Sequence, residues 1–514
     1  MKKVILAMFM AATLTSCNLD LLPENAQTYK NVFENEAGLS SVVTSMHYFI
    51  NTSVGQNNTF QTVGLLADTL EYGMELRRWN PKTVISQNES WEGLYQIVYY
   101  GNFVLDNIHL TQGLSPDRYN YYAGQAEFGL GLGYLLLAQR YDDAVITENS
   151  TAIKEYATSS RMDVINTAIE HAQKAFDMLP TYDKLRKIDG TAVTNRQVAS
   201  KGTCAALLAH LYAWKGSIID LLQLEGDAQE AYRKAIEYCT VIIDKKAGDY
   251  RLCSTPEELC RYLSNPDNTN PEAIFSVFFD KARSSDASSP NEVAGAFVSW
   301  PVNENQTLAD VAHTRFRFYK ECIRKMYPDA GDLRRSAFFY QIDEAHIAEG
   351  KDYAIPYKFR SAVMDPDQYS PTGKSYRTMN ADYVYWRLAD IYLLRAECEA
   401  KLGQDAQAIA DLNVIRQRAQ AAEYPSSNDT VGLKKAIFRE REREFIAEND
   451  SRYADIIRNN YIKEELTGRF RSLTLSDMRG GALGLPLPNG AKKDEKGNYT
   501  NKLIRQKNYW QQYE

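Results

Sequence analysis

The stretch from Asp382 to Arg458 constrains the fold more strongly than any other part of the chain, because its periodicity predicts three helices joined by short turns. On a helix at about 100° per residue, Asp390, Glu397 and Lys401 of the first helix share one narrow side. The rest of its circumference is mostly apolar or small. Such a helix is expected to be buried between neighbouring elements rather than to lie at the surface.

Charged residues within this stretch indicate a network of ion pairs inside the protein. Arg395 and Glu399 fall in the apolar zone of the first helix, one turn apart, so each is available to the other. The third helix has six consecutive charges at 439–444, between apolar residues at 436–438 and 445–447. We expect these charges to pair with neighbouring helices and to serve the scaffold; the alternative is a solvated face with local pairs.

The chain contains an internal repeat of a helix–turn–helix unit. Helical segments at about 195–216 and 227–243 match the first two helices of the 382–458 stretch. In both units the first helix ends in glycine, at Gly216 and at Gly403, and the second begins with Asp-Ala-Gln. Stacked units of this kind bury a continuous core. The sequence therefore predicts a mainly α fold, a tetratricopeptide-like helical repeat scaffold.

The N-terminus has the features of a secretory signal. Two lysines precede an apolar run at 4–14, and Leu-Thr-Ser-Cys follows, ending at Cys17. These four residues resemble a bacterial lipobox, which implies cleavage before Cys17 and lipidation of that cysteine. The alternative is an ordinary secretory signal with an incidental cysteine. Two or more acyl chains anchor a protein stably to a membrane, so we expect a soluble body tethered at its first residue.

Several classes of function find no support in the sequence. The formal net charge of −7 gives no reason to expect a nucleic acid partner. The six histidines lack zinc-site spacing, and no GxSxG motif occurs. We therefore expect no cofactor and no catalytic residue. His210 is expected to be a hydrogen-bonded core residue, and the glycines at 129, 131 and 133 to allow close helix contact rather than to bind phosphate.

Six cysteines remain after Cys17, at positions 204, 239, 253, 260, 322 and 398. They have no CxxC or Cys/His metal spacing. Cys204 and Cys398 sit in apolar helical runs, and we expect the six cysteines to be buried thiols. A disulfide between Cys253 and Cys260 is the alternative.

The repeat units are separated by a segment of different composition, rich in Ser, Asn, Asp and Pro, with a predicted strand at 273–279. Long loops in compact proteins are usually functional. We divide the chain into a signal peptide at 1–16 and one domain at 17–514. That domain comprises a helical scaffold at about 38–250 and 382–460, a loop-rich insertion at about 250–381 and an irregular tail at 461–514.

The 382–458 stretch resembles the C-terminal signature of the SusD/RagB family. The matching runs are RLADIYLLRAECEAKLG, DLNVIRQRA and IFREREREFIAEND with RYADIIR, and a W-x-x-LY segment begins at Trp91. The resemblance implies a surface-exposed outer-membrane lipoprotein that captures an oligosaccharide or a peptide. It also implies delivery of that ligand to a SusC-like TonB-dependent transporter. The tail departs from the family, with Gln-Lys-Asn-Tyr-Trp at 506–510, which leaves its path open.

Candidate ligand contacts lie in two loop-rich regions. Sugars stack their C–H faces on aromatic rings, while Asp, Asn and Arg side chains hydrogen-bond their hydroxyl groups. Asp68, Tyr72, Arg77 and Trp79 lie in the segment where contacts of the resembled family commonly fall, and Trp300 lies in the insertion. Packing within the protein is the alternative role for each tryptophan. Two other functions stay open: a scaffold that binds only proteins, and a glycan-cleaving enzyme.

Overall fold

The computed structural model describes residues 31–514 apart from 55–58, 66–68, 71–73, 153, 278–291, 315, 345–351, 449–450, 494–495 and 498–499. The predicted mainly α fold is confirmed. The helices before the insertion are α1 Glu36–Val54, α2 Thr59–Gly64, α3 Met74–Arg77, α4 Pro81–Gln87, α5 Glu92–Asn107, α6 Pro116–Tyr141, α7 Arg161–Met178, α8 Lys201–Leu222 and α9 Ala228–Ile243.

The insertion contains short helices and most of the strands. Its helices are α10 Pro256–Leu263, α11 Glu292–Ala296, α12 Lys320–Met326 and α13 Leu333–Phe338. The strands of the described residues are β1 Thr69–Leu70, β2 Ala273–Val277, β3 Phe316–Tyr319, β4 Phe339–Tyr340, β5 Tyr353–Pro356, β6 Ala362–Pro366, β7 Lys374–Met379 and β8 Tyr383–Arg387. The strand predicted at 273–279 is confirmed over Ala273–Val277 as β2, while residues 278–279 lie outside the described residues.

The helices after the insertion complete the scaffold. They are α14 Leu388–Lys401, α15 Asp405–Arg418, α16 Leu433–Phe445, α17 Arg452–Arg458, α18 Ile462–Glu465, α19 Leu475–Arg479 and α20 Asn508–Gln511. The three helices predicted in the 382–458 stretch correspond to α14, α15 and α16, but the prediction was wrong at both ends. Tyr383–Arg387 forms β8, and Arg452–Arg458 forms the separate helix α17.

The long helices pack in chain order, each on the one before it, from α5 through α9. Local sequence explains where four of them begin. Side chains of Ser115, Ser160, Ser200 and Asp227 accept hydrogen bonds from first-turn N–H groups of α6, α7, α8 and α9. Gly131 favours close contact between α6 and α7, because a Cβ there would lie 3.1 Å from a backbone nitrogen of α7. This confirms the packing role predicted for that glycine.

The internal repeat is continuous in space although it is interrupted in sequence. The pair α8–α9 is followed by the pair α14–α15, and α14 packs directly on α9. The insertion extends from the helical stack between α9 and α14. Antiparallel pairing of β2 with β8 closes its base, with Val277 opposite Tyr383.

The charges of α14 and α16 form ion pairs inside this scaffold, as predicted. Arg441 of α16 donates to Asp390 at 2.7 Å and to Asp455 at 2.9 Å. Asp390 also lies 2.7 Å from the Nε2 atom of His210, which confirms that this histidine is a hydrogen-bonded core residue. The narrow charged side of α14 is therefore buried as well.

The pair predicted between Arg395 and Glu399 of α14 is present, but Arg395 has a closer partner on the next helix. Arg395 donates to both carboxylate oxygens of Asp411 on α15, at 2.6 and 2.7 Å. Glu399 lies farther away, at 3.9 Å from Arg395, and its Oε2 atom has no hydrogen-bond partner among the described residues. A bidentate contact to a neighbouring helix is stronger than a single contact one turn away.

The C-terminal tail returns to the scaffold. Gln506 bonds through its side chain to the backbone of Leu487, at 2.9 Å to the nitrogen and 3.2 Å to the oxygen. The indole N–H of Trp510 donates to the carbonyl oxygens of Gly481 and Gly484. These bonds define the path that the sequence left open.

None of the cysteines that the structure describes forms a disulfide, so the alternative Cys253–Cys260 bridge is absent. Five are buried, as predicted, whereas Cys322 on α12 is exposed. None of the helices that the structure describes is long and apolar enough to cross a membrane.

Candidate functional site

A small cluster of apolar and aromatic side chains stands apart from the main core, in the insertion. We call it the aromatic cluster. Its buried members are Val311, Ala312, Tyr353 and Ile355, and its partly buried members are Trp300, Leu308, Tyr319 and Tyr340. Satellite clusters of this kind commonly lie under long loops. Here the cluster covers one face of a four-stranded sheet with the strand order β1-β3-β5-β4.

The alternating direction of the side chains along β3 explains why one face of the sheet carries the aromatic cluster. Side chains of successive strand residues point to opposite faces. Phe316 and Phe318 contact Phe297 of the main core, with ring centroids 5.4 and 4.9 Å apart. Arg317 and Tyr319 therefore point to the face of the aromatic cluster. A short 3₁₀ helix, Leu308–His313, packs against β5 on that face.

The aromatic rings of the cluster are held in fixed contacts. The Trp300 ring meets that of Tyr340 edge to face, with centroids 5.4 Å apart at 89°. Tyr340 in turn contacts Tyr357 at 5.1 Å. On the neighbouring strands, Tyr319 and Tyr353 stack at 5.4 Å and 20°. Since Trp300, Tyr319 and Tyr340 are only partly buried, the cluster offers aromatic surface to a ligand.

The sheet brings the two predicted ligand-contact regions together. β1 pairs with β3, and Thr69 lies opposite Arg317. The early loop-rich segment thereby joins the insertion that carries Trp300. Two candidate contacts, Asp68 and Tyr72, lie outside the described residues. Arg77 is described, and its guanidinium donates to the carbonyl oxygen of Leu65 at 3.2 Å.

The structure corrects the prediction for Trp79. Its side chain is fully buried, at 0% exposure, and its indole N–H donates to the carbonyl oxygen of Ala482 at 2.8 Å. The ring stacks on Phe470 at 4.9 Å and also contacts Trp510 at 5.9 Å. Trp79 therefore belongs to the core that the C-terminal tail completes, where a ligand does not reach it.

A cavity of about 410 Å³ lies elsewhere, between α12, the N-terminus of α16 and the 421–432 loop. No aromatic side chain lines this cavity. Arg416 there is already held by Asp429 at 2.8 Å and Glu440 at 2.9 Å. We therefore place the candidate site at the aromatic cluster, where rings remain available for stacking. No group of three or more His, Cys, Asp or Glu side chains in the described chain is arranged to hold a metal ion.

Sequence reasoning missed most of the cluster. Tyr319, Tyr340 and Tyr353 were not among the predicted contacts. The run Phe-Arg-Phe-Tyr at 316–319 does alternate with a period of two, which is typical of a strand with one buried face. The other tyrosines join only through pairing between distant strands.

Two family models match the chain. The model of the SusD family matches residues 344–512, and a model described as starch-binding associating with outer membrane matches residues 18–211. A curated relative, SusD-like protein P25 of Formosa agariphila, is 24% identical over 400 residues, which is 73% of this chain and 70% of the relative.

Solved structures of this family share the fold. A SusD homologue from Bacteroides thetaiotaomicron superposes with a TM-score of 0.72 at 18% identity, covering 93% of this chain and 99% of that one. A protein described as a laminarin-binding SusD-like protein gives a TM-score of 0.66 at 18% identity, covering 93% and 100%. NanU of Bacteroides fragilis gives 0.66 at 18% identity, covering 94% and 99%. The chain therefore belongs to the SusD/RagB family.

Proposed function

We propose that this protein is a glycan-binding lipoprotein of the outer membrane, which captures an oligosaccharide at the aromatic cluster without cleaving it. The observation that carries the proposal is the partly exposed set of rings around Trp300 and Tyr340, held edge to face at 5.4 Å. Fixed aromatic surfaces suit the C–H faces of sugar rings, and their rigidity lowers the entropy lost on binding.

The comparisons support the same class of ligand. One matching family model is described as starch-binding, and a solved structure of the same fold belongs to a protein described as laminarin-binding. The description of that model also supports association with the outer membrane. Cys17, which lies outside the described residues, is the proposed site of lipidation. A SusC-like TonB-dependent transporter is the proposed recipient of the captured glycan, and Trp300, Arg77, Asp68 and Tyr72 remain proposed contacts.

Binding of the purified lipid-free protein, residues 18–514, to arrays of glycans and of peptides tests the proposal. Laminarin and starch oligosaccharides belong in the glycan set, because they are the glycans suggested by the comparisons. We expect retention of at least one glycan class and loss of that binding in Trp300→Ala and Tyr340→Ala. Tyr119→Ala is the matched control, because Tyr119 is an exposed tyrosine at the start of α6, outside the aromatic cluster.

Other outcomes identify the competing functions. Binding of peptides but no glycan would reassign the ligand. Shortened products after incubation would indicate a glycan-cleaving enzyme. Absence of any small ligand, together with capture of a transporter, would indicate a protein-binding scaffold.

A further inference from the structure

The hairpin formed by β6 and β7 carries Tyr369 at its tip. This side chain is 88% exposed, the highest value among the large hydrophobic side chains that the structure describes. Its ring contacts no other aromatic ring of the described residues. Single exposed aromatic side chains are common on protein surfaces, so exposure alone indicates no function. The backbone beneath the ring provides the further evidence.

The turn that carries Tyr369 is tightly hydrogen-bonded. The side chain of Asp367 accepts from the backbone N–H of Tyr369 at 2.9 Å. The backbone N–H of Asp367 donates to Gly373, and that of Gly373 donates to Ser370, both at 3.0 Å. Gly373 adopts a φ of +72°, which a glycine accommodates without strain. The ring is thus held out into solvent by an ordered turn.

The same turn is tied to the loop that follows Trp300. The side-chain amide of Asn305 donates to the Ser370 hydroxyl at 2.9 Å and to the backbone oxygen of Lys374. Lys374 also pairs with Glu304 at 2.8 Å. These contacts fix the position of the hairpin tip relative to the segment that presents Trp300.

We propose that Tyr369 is an outer stacking contact for a glycan bound at the aromatic cluster, so that affinity depends on the length of the glycan chain. This inference rests on the proposed function. A ligand that touches both Trp300 and Tyr369 extends over the loop that follows Trp300 and over the hairpin turn to which Asn305 is bonded. A monosaccharide bound at Trp300 does not extend that far. The turn is already ordered, so stacking on Tyr369 costs little additional backbone entropy.

Affinity measurements with size-graded glycans test the inference. The glycan is the one that the wild-type protein retains on the array. It is supplied as a series of increasing length, from the monosaccharide to a long oligosaccharide. We expect Tyr369→Ala to lower affinity for the long members about tenfold, equivalent to about 1.4 kcal/mol, and to leave the short members unchanged. Tyr369→Phe keeps the stacking ring and should bind like the wild type.

Two further variants separate positioning from general damage. Asn305→Ala removes the hydrogen bonds that hold the hairpin turn to the loop after Trp300, and should also lower affinity for the long glycans selectively. Tyr119→Ala removes an exposed tyrosine elsewhere and should change nothing. Thermal unfolding of Tyr369→Ala should match the wild type, because the 88% exposed side chain buries little surface.

The inference is overturned if Tyr369→Ala binds long members with wild-type affinity, or if it weakens long and short members equally. If the wild-type protein retains no glycan at all, the proposed function fails, and the inference fails with it.

Discussion

Arg387 and Glu444 lie 2.8 Å apart with at most 1% of either side chain exposed. Arg387 ends β8, at the base of the insertion, and Glu444 belongs to α16. The same carboxylate also pairs with Arg334 and Arg418. Burial alone would raise the pKa of Glu444, but Arg418, Arg387 and Arg334 outweigh it and hold the pKa well below its usual range. This network joins the insertion to the scaffold.

Glu444→Gln should destabilise the protein strongly. Removing one partner of a buried ion pair leaves uncompensated charge and typically costs about 3–5 kcal/mol. The loss is measured as a shift of the urea-unfolding midpoint. Glu321→Gln is the control, since Glu321 forms an exposed pair with Lys325 and should shift nothing measurable. Equal midpoints for Glu444→Gln and the wild type would show that the network does not stabilise the fold.

Glu399 should give part of the folding stability an unusual pH dependence. Burial, together with the nearby Asp411 carboxylate, raises the pKa of Glu399 from 4.5 to about 7, against the opposing effect of Arg395. The folded state therefore holds this proton more tightly than the unfolded chain. The resulting contribution to stability is full below about pH 4.5 and is lost as the pH rises towards about 7.

Glu399→Gln should remove that component, because the neutral amide resembles the protonated acid. We expect the variant to be more stable than the wild type at pH 8, measured by urea unfolding across a pH series. Glu397→Gln is the control of opposite sign. Burial would raise the pKa of Glu397, but Arg458 and Lys401 hold it well below its usual range. That variant should lose stability at pH 8. Identical pH profiles for Glu399→Gln and the wild type would contradict the argument.

Trp79→Ala and Trp300→Ala should separate stability from binding. Truncating a fully buried tryptophan typically costs about 3–5 kcal/mol. Because Trp79 is fully buried and Trp300 only partly, Trp79→Ala should lower the thermal midpoint much more. Trp300→Ala should instead lose glycan binding while remaining folded. A glycan-binding defect in Trp79→Ala without any loss of stability would restore the role first predicted for that ring.

Thiol labelling should distinguish Cys322 from the other cysteines. The experiment uses the lipid-free protein, residues 18–514, which lacks Cys17. In its native state it should react with maleimide at the exposed thiol of Cys322, while the five buried thiols react only after unfolding. Burial also raises the pKa of Cys204 and of Cys260, which lowers their nucleophilicity further. Cys322→Ser should abolish native labelling. Fewer than six reactive thiols in the unfolded, unreduced protein would indicate a disulfide.

The sequence predicted the scaffold better than the site, for physical reasons. Helical periodicity and the repeated Asp-Ala-Gln starts are local, so α8, α9, α14 and α15 could be located without knowledge of their neighbours. Trp79 was misplaced because its polar, loop-rich surroundings suggested exposure, whereas its partners Phe470 and Trp510 are almost 400 residues or more away in the chain.

The residues of the aromatic cluster were hard to predict for the same reason, although they are closer together in the sequence. Tyr340 and Tyr353 lie on β4 and β5, whose pairing places Tyr340 opposite Ile355. Neither strand is long enough to show a clear pattern alone. Trp300 could be singled out because tryptophan is rare, but its neighbours become apparent only once the strands are paired.

The base of the insertion is closed by β2 and β8, while α14 packs directly on α9. The segment between these strands therefore leaves and re-enters the helical stack at one place. The entropy of closing such a loop grows only slowly with its length. Related chains could therefore lengthen, shorten or exchange this segment while keeping the same scaffold. In an engineered chimera, an insertion with a different specificity would be joined to this scaffold at the ends of the paired strands β2 and β8.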